Sequence, residues 1–196
     1  MARRSEHSLE QIKTMLLDAA EQVVITDGFS ALKARSIAKE TGYTVGSLYM
    51  VYANMADLIM HLHARTFDAI TLHLQQSPLL ETEAAMESVA LAYMNYGAQN
   101  FNRWCFIFDD RLLMGAELPD WYQEKIAKVY AQFERRLASL KPELDALEIK
   151  NTAFALFAGV QGICALSLSP NLDKDELKKI EATIVMLVKY FMRGIS

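Results

Sequence analysis

The sequence contains no His-Glu-x-x-His zinc pattern, no P-loop, no Gly-x-Gly-x-x-Gly and no Cys-x-x-Cys. None of its four histidines, His7, His61, His63 and His73, follows a glutamate by three residues, as the Glu-x-x-His pairs of di-iron helical bundles require. His61 and His63 are two apart, so on a helix they point away from each other. No catalytic residue, metal ligand or cofactor is therefore expected, and the chain reads as non-enzymatic. Asp109 and Asp110 with Arg111 read as a polar edge or salt-bridge site. Only two cysteines occur, Cys105 and Cys164, far apart in apolar surroundings, which favours buried free thiols over a disulfide or metal pair. Prolines number 4 against 52% hydrophobic residues, so a packed globular chain is expected and disorder is excluded.

The start, MARRSEHSLEQ, has arginines but no apolar core behind them, so it is not a signal peptide, and the expected compartment is the cytoplasm. An excess of positive charge is also missing. The formal charge is −4, and over residues 1–55 Arg3, Arg4, Lys13, Lys33, Arg35 and Lys39 balance Glu6, Glu10, Asp18, Glu21, Asp27 and Glu40. Any claim of nucleic-acid binding must then rest on local geometry. Charge is absent altogether from Asn151 to Leu172, a stretch approaching the roughly 20 residues of a membrane span. Its polar Asn151 and Gln161, its two glycines, Pro170 and its mostly small apolar residues favour a core or interface helix, and no membrane partner is expected.

What is present is helical periodicity. Leu9, Ile12, Leu16, Ala19 and Val23 recur at helical spacing, and Asp27-Gly28 ends the run. A short helix over Ala34–Thr41 stops at Gly42. Thr44 is a good N-cap for a third over Val45–Val51, and Asn54 with Asp57 starts a fourth carrying Leu58, Leu62, Ile70 and Leu74. Further helices are expected over Thr82–Phe101, Arg103–Met114, Asp120–Leu140, Leu144–Ser169 and Lys174–Arg193, with breaks at Ser77-Pro78, Glu117–Pro119, Lys141-Pro142 and Pro170-Asn171. No run alternates as a strand would. The expected fold is all-α with about nine helices. Its expected domains are a helix-turn-helix head over residues 1–55 and a larger domain over 56–196.

Two short helices joined by Gly42-Tyr43-Thr44 make a helix-turn-helix, whose second helix would lie in a DNA major groove. Small residues suit that purpose. Gly46 and Ser47 let the backbone come close, and Thr44 caps an end whose free N–H groups favour phosphate. Val45 and Met50 complete the face, and Tyr49 and Tyr52 have hydroxyls for phosphate or rings for a thymine methyl. An ordinary helical corner, with the tyrosines as core, would use the same spacing.

Residues 9–58 resemble the DNA-binding head of the TetR family of bacterial transcriptional repressors. The likeness is carried by Ala19-Ala20, Gly28-Phe29, Ile37-Ala38, Gly42, Thr44, Gly46, Ser47-Leu48-Tyr49, Tyr52, Asn54 and Leu58. It implies a double-stranded DNA operator as partner and a helical domain for sensing and dimerisation. The sequence departs from the family at Lys33, usually a capping Thr, at Val45, often basic, at Val51, often His or Tyr, and at Met55, usually Lys. Lys33 and Arg35, with Lys39, Arg3 and Arg4, are the cations left to meet phosphates.

Between Met86 and Tyr122 large side chains crowd: Met86, Tyr93, Met94, Tyr96, Phe101, Trp104, Phe106, Phe108, Met114, Trp121 and Tyr122. Polarizable bulk with a few polar tips suits a small-molecule effector, apolar or aromatic, although for any single one of these residues a plain aromatic core is the favoured reading. The resemblance implies that the effector pocket lies between the helices after Ser77. The candidates taken forward are Met86, Tyr93, Met94, Phe101, Trp104, Phe108, Trp121 and Tyr122. Phe154, Phe157 and Gln161, then Ile184, Leu187 and Phe191, mark two apolar helices expected to pair with a second copy in a four-helix homodimer interface. The expected function is a ligand-responsive repressor. The alternative from another class is a protein-interaction adaptor with a weakened DNA head, suggested by the uncharged third helix.

Overall fold

In the computed structural model, residues 7–108, 113 and 115–195 are described. Arg3, Arg4, Asp109, Asp110, Arg111 and Met114 lie outside the described residues. Among those described, the regular structure is helical and no strand occurs. The helices are α1 (Leu9–Asp27), α2 (Ala34–Thr41), α3 (Val45–Val51), α4 (Met55–Gln75), α5 (Ala84–Gln99), α6 (Phe101–Phe106), α7 (Asp120–Leu140), α8 (Ala146–Ser167) and α9 (Lys174–Arg193). The all-α expectation is met.

Side-chain caps set several of these limits. Ser8, Asp145 and Asp173 each accept from the first turn of their helix, while Gln11, Glu148 and Glu176 reach back to the capping backbone. Asp145 thereby starts α8 two residues later than its apolar pattern suggests. The helix expected over Arg103–Met114 runs instead over Phe101–Phe106, after a break at Asn100 whose side-chain amide donates to the Tyr96 carbonyl. Gly42 closes α2 at φ 70°, ψ 10°, the left-handed conformation that a residue without Cβ adopts at little cost.

The chain divides into two compact units. One comprises residues 1–66 and 102–118, the other 67–101 and 119–196. The division therefore does not coincide with a cut at residue 55. In the first unit α1, α2 and α3 pack on one another around Leu16, Ala20, Ile37, Leu48, Tyr52, Leu58 and Phe106. Phe106 belongs to this core by contact: its ring stacks on Phe29 at 5.5 Å and meets His63 edge-on at 4.5 Å. Asn102 donates to the Ile25 carbonyl at 2.8 Å, and Glu21 holds both Arg103 at 2.7 Å and Arg65 at 2.8 Å. Helix α6 is thus fastened to the head, a contact far apart in sequence that no local pattern announces.

In the second unit α5 packs against α7, α8 and α9, α7 against α8, and α8 against α9. Phe157 of α8 sits at its centre, with the rings of Tyr130, Tyr93 and Phe133 at 5.0, 5.1 and 5.4 Å. Helices α8 and α9 approach closely at Gly159, where an added Cβ would lie 2.9 Å from Cδ2 of Leu187. Arg136 of α7 is fully buried. Its guanidinium donates to the carbonyls of Gln132, Leu74 and Ser77 and to the Ser77 hydroxyl. Burial, and then Arg135 nearby, lower its pKa. The carbonyls at the end of α4 compensate the charge, since a helix C-terminus carries partial negative charge and orphan acceptors.

Candidate nucleic-acid interface

The site begins with the Thr44 side chain. Its Oγ1 accepts from the Ser47 amide at 3.1 Å and lies 3.0 Å from the Ser47 hydroxyl, fixing the first turn of α3. The chain enters that turn from the left-handed Gly42 and from Tyr43, whose hydroxyl lies 2.9 Å from Nδ1 of His7. Along α3 the two faces separate cleanly. Leu48 and Tyr52 are buried in the head, whereas Gly46, Tyr49 and Met50 are exposed. Val45, Ser47 and Val51 are half-buried at the margins.

Tyr52 corrects the sequence expectation. It is buried, its hydroxyl donates to the Lys13 carbonyl at 3.0 Å, and burial raises its pKa above the usual tyrosine range. A phosphate contact is closed to it, because Tyr52, the extended residue that caps the C-terminus of α3, is buried with its hydroxyl turned to α1. The residues left on the outer face are uncharged. Their exposure differs: Met50 is 71% exposed and Tyr49 46%. A Cβ built on Gly46 would meet only Thr44 Oγ1 at 3.5 Å, an ordinary contact, so this position faces open space.

Positive charge comes from the neighbouring helix. Lys33, Arg35 and Lys39 on and before α2 are exposed, and no ion pair holds them among the described residues. Lys33 occupies the α2 N-cap position without any side-chain cap, as expected where a threonine is replaced. Asn54 spends its Oδ1 on the Asp57 amide, and Asp57 reaches back to the Ala53 amide, so the start of α4 is self-capped.

The eight residues proposed for an effector do not share one unit. Trp104 and Phe108 lie in the head unit, their rings 5.2 Å apart, with Trp104 buried and Phe108 exposed. Met86, Tyr93 and Met94 of α5 are buried in the second unit with Tyr122, whose ring meets Phe67 at 5.8 Å. Phe101 is half-buried and Trp121 is 36% exposed. The aromatic centre of that unit also includes Tyr130 and Phe133 of α7, which the sequence reading missed although they lie on the buried side of a clearly amphipathic helix. Tyr93 donates its hydroxyl to Oε1 of Gln161 at 2.5 Å.

The dimer candidates separate in the same way. Phe157 and Ile184 are buried inside the unit, so they are corrected from interface to core. Phe154 is exposed, and Gln161, Leu187 and Phe191 are half-buried. The exposed face of α8 instead runs through Asn151, Phe154, Ala155, Ala158, Ala165 and Leu166, at three- and four-residue spacing. On α9 it continues with Met186 and Tyr190. A shallow, almost wholly apolar depression of about 460 Å³ lies between Ile163, Thr183, Met186, Leu187, Tyr190 and Phe191. Helix α8 is long and apolar enough to cross a membrane by length and composition, with 28% of its apolar window buried. Its inward face, from Ile149 to Cys164, packs against other helices of the unit. Both cysteines are free thiols, and burial pushes that of Cys164 up to about 12.

Comparison with known proteins agrees with this geometry. Residues 16–62 match the model of bacterial regulatory proteins of the tetR family. No curated protein sequence matches the chain. Among solved structures, one of a protein with unknown function from Rhodococcus sp. RHA1 is 17% identical, covers 98% of both chains and has a TM-score of 0.72. A TetR transcriptional regulator from the same organism is 14% identical over 96% of this chain and 100% of its own, with a TM-score of 0.66. The multidrug binding protein EbrR, solved with imidazole, is 21% identical over 89% of this chain and 93% of its own, with a TM-score of 0.62. At these identities the structural likeness shows a shared fold. The class is that of helical proteins with a helix-turn-helix head. Over residues 16–62 its head is similar to those of bacterial regulatory proteins of the tetR family.

Proposed function

We propose that the protein is a cytoplasmic, ligand-responsive repressor that binds a palindromic operator as a homodimer and releases it on meeting an apolar or aromatic small molecule. The observation that carries the DNA reading is the two-sided character of α3, with Leu48 and Tyr52 inside and Gly46, Tyr49 and Met50 outside. A helix so anchored presents its outer face to the groove while Lys33, Arg35 and Lys39 meet phosphates on either side. The apolar outer face of α8 and α9 supports the dimer, because a second copy related by a two-fold axis would bury it against its own equivalent. Two linked heads would then reach half-sites about one helical turn, roughly 34–36 Å, apart or a multiple of that spacing.

The effector reading draws on the aromatic centre of the second unit and on the fold shared with EbrR, a multidrug binding protein. An effector shifts the operator equilibrium only by its differential affinity for the bound and released arrangements. Helix α4 is the natural carrier, since it contributes residues to both compact units and its far end is held by Arg136. The deciding experiment selects bound fragments from random and genomic DNA. Enrichment of a two-fold symmetric sequence supports the repressor, and no enrichment by a folded dimer favours the interaction adaptor.

A further inference from the structure

The outer face of α3 lacks the charged and amide side chains that ordinarily read a polar base edge. Guanine is read by Arg or Lys, adenine by Asn or Gln, and cytosine by Asp or Glu. From Val45 to Met55 the chain has no charged residue and no glutamine, and its one asparagine, Asn54, caps α4. Thr44 and Ser47 spend their hydroxyls on capping α3 and on each other. What stands out from the helix is Met50, 71% exposed, with Gly46 one turn before it and Tyr49 beside it. In the major groove the one apolar group that marks a base pair is the C5-methyl of thymine.

We propose, resting on the DNA-binding reading above, that Met50 is a specificity-determining residue that reads a thymine methyl in each half-site. Two features of the helix support a close fit. Gly46 and Met50 are four residues apart and so lie one above the other, and the missing side chain at Gly46 leaves the groove floor within reach of the thioether. A flexible, polarizable side chain packs on a methyl group without needing the fixed geometry of a hydrogen bond. Sequence preference would then follow the methyl group itself, and 5-methylcytosine at the same place would satisfy it as thymine does.

The test uses the full-length protein and duplexes made from its selected sequence, with each thymine replaced in turn by deoxyuridine, which removes the methyl alone. Binding is read by fluorescence anisotropy. The expected result is a loss of about fourfold for each methyl that Met50 covers, the worth of burying one such group. Met50→Ala should bind the thymine duplex more weakly by a similar factor and lose nothing further on deoxyuridine, while Met50→Leu should restore the dependence. Parent protein that binds its selected DNA equally well with every thymine demethylated overturns the inference and leaves the DNA-binding reading standing. Methyl dependence that persists in Met50→Ala assigns the reading to another residue and also overturns it. If folded protein selects no DNA sequence, the DNA-binding reading fails and this inference with it.

Discussion

Lys13 and Tyr52 hold each other twice: the Tyr52 hydroxyl donates to the Lys13 carbonyl at 3.0 Å, and the Lys13 ammonium stands 5.4 Å from the centre of the Tyr52 ring. The pair ties the end of α3 to α1. It makes Tyr52 a residue of the head's architecture, and it separates two tyrosines that the sequence presents as equivalents.

Tyr52→Phe should therefore destabilise the protein by about 1 kcal/mol, the net worth of one hydrogen bond, with little change in sequence preference. Tyr49→Phe should leave stability unchanged and weaken operator binding, because no described residue is bonded to the Tyr49 hydroxyl. Thermal melting and anisotropy on the same two variants read the difference. The raised pKa of Tyr52 adds a pH signature. A group held protonated by the fold gives stability that is complete below its unfolded pKa, about 10 for tyrosine, and lost as the pH climbs above it. The parent should lose stability above that pH more steeply than Tyr52→Phe does.

Substitutions in α8 and α9 should divide into two kinds. Ala158→Glu and Tyr190→Glu, on the exposed face, should give folded monomers in sedimentation. Phe157→Ala should cost about 3–5 kcal/mol in the subunit itself, as the loss of a buried aromatic ring does. An unchanged dimer for both glutamate variants would move the interface elsewhere.

Helix periodicity, the caps at Thr44 and Asn54 and the Gly42 turn were legible in the sequence, because each depends on residues within about four positions of one another. What was not legible came from distant contacts. Phe157 and Phe154 are three residues apart on the uncharged stretch of α8, and only the packing of Tyr93, Tyr130 and Phe133 decides that Phe157 points inward. Tyr52 hides its role for the same reason, since its partner Lys13 is 39 positions away. The membership of Trp104 and Phe106 in the head unit depends on α1 and α4, which no pattern near residue 104 encodes.

Arg136→Met should destabilise the protein by about 1–3 kcal/mol, because the Ser77 carbonyl would lose its Arg136 donor while the Leu74 carbonyl kept only the Ser77 hydroxyl and amide. Ser77→Ala removes only one of these contacts and should cost less. Hydrogen exchange at the end of α4 should quicken in both. Unchanged protection there would mean that the guanidinium does not hold this helix end.

The two tryptophans now make separate reporters. An apolar effector at about 100 times its dissociation constant should raise stability by about 2.7 kcal/mol. If it binds in the second unit, its direct fluorescence signal should survive Trp104→Phe and fade in Trp121→Phe. A broad panel of aromatic compounds that changes neither emission nor melting would remove the effector from the account.

The most direct test of the whole account is operator binding by Gly46→Leu. The position faces open space, where a Cβ meets nothing closer than 3.5 Å, and leucine is a better helix former than glycine by roughly 0.8 kcal/mol. Fold, melting temperature and dimer should therefore be retained, while the added side chain keeps α3 out of the groove. Anisotropy on the parent's selected sequence should show at least a hundredfold loss of affinity, about 2.7 kcal/mol. Binding equal to that of the parent would contradict it, because α3 would then not be the helix that enters the DNA.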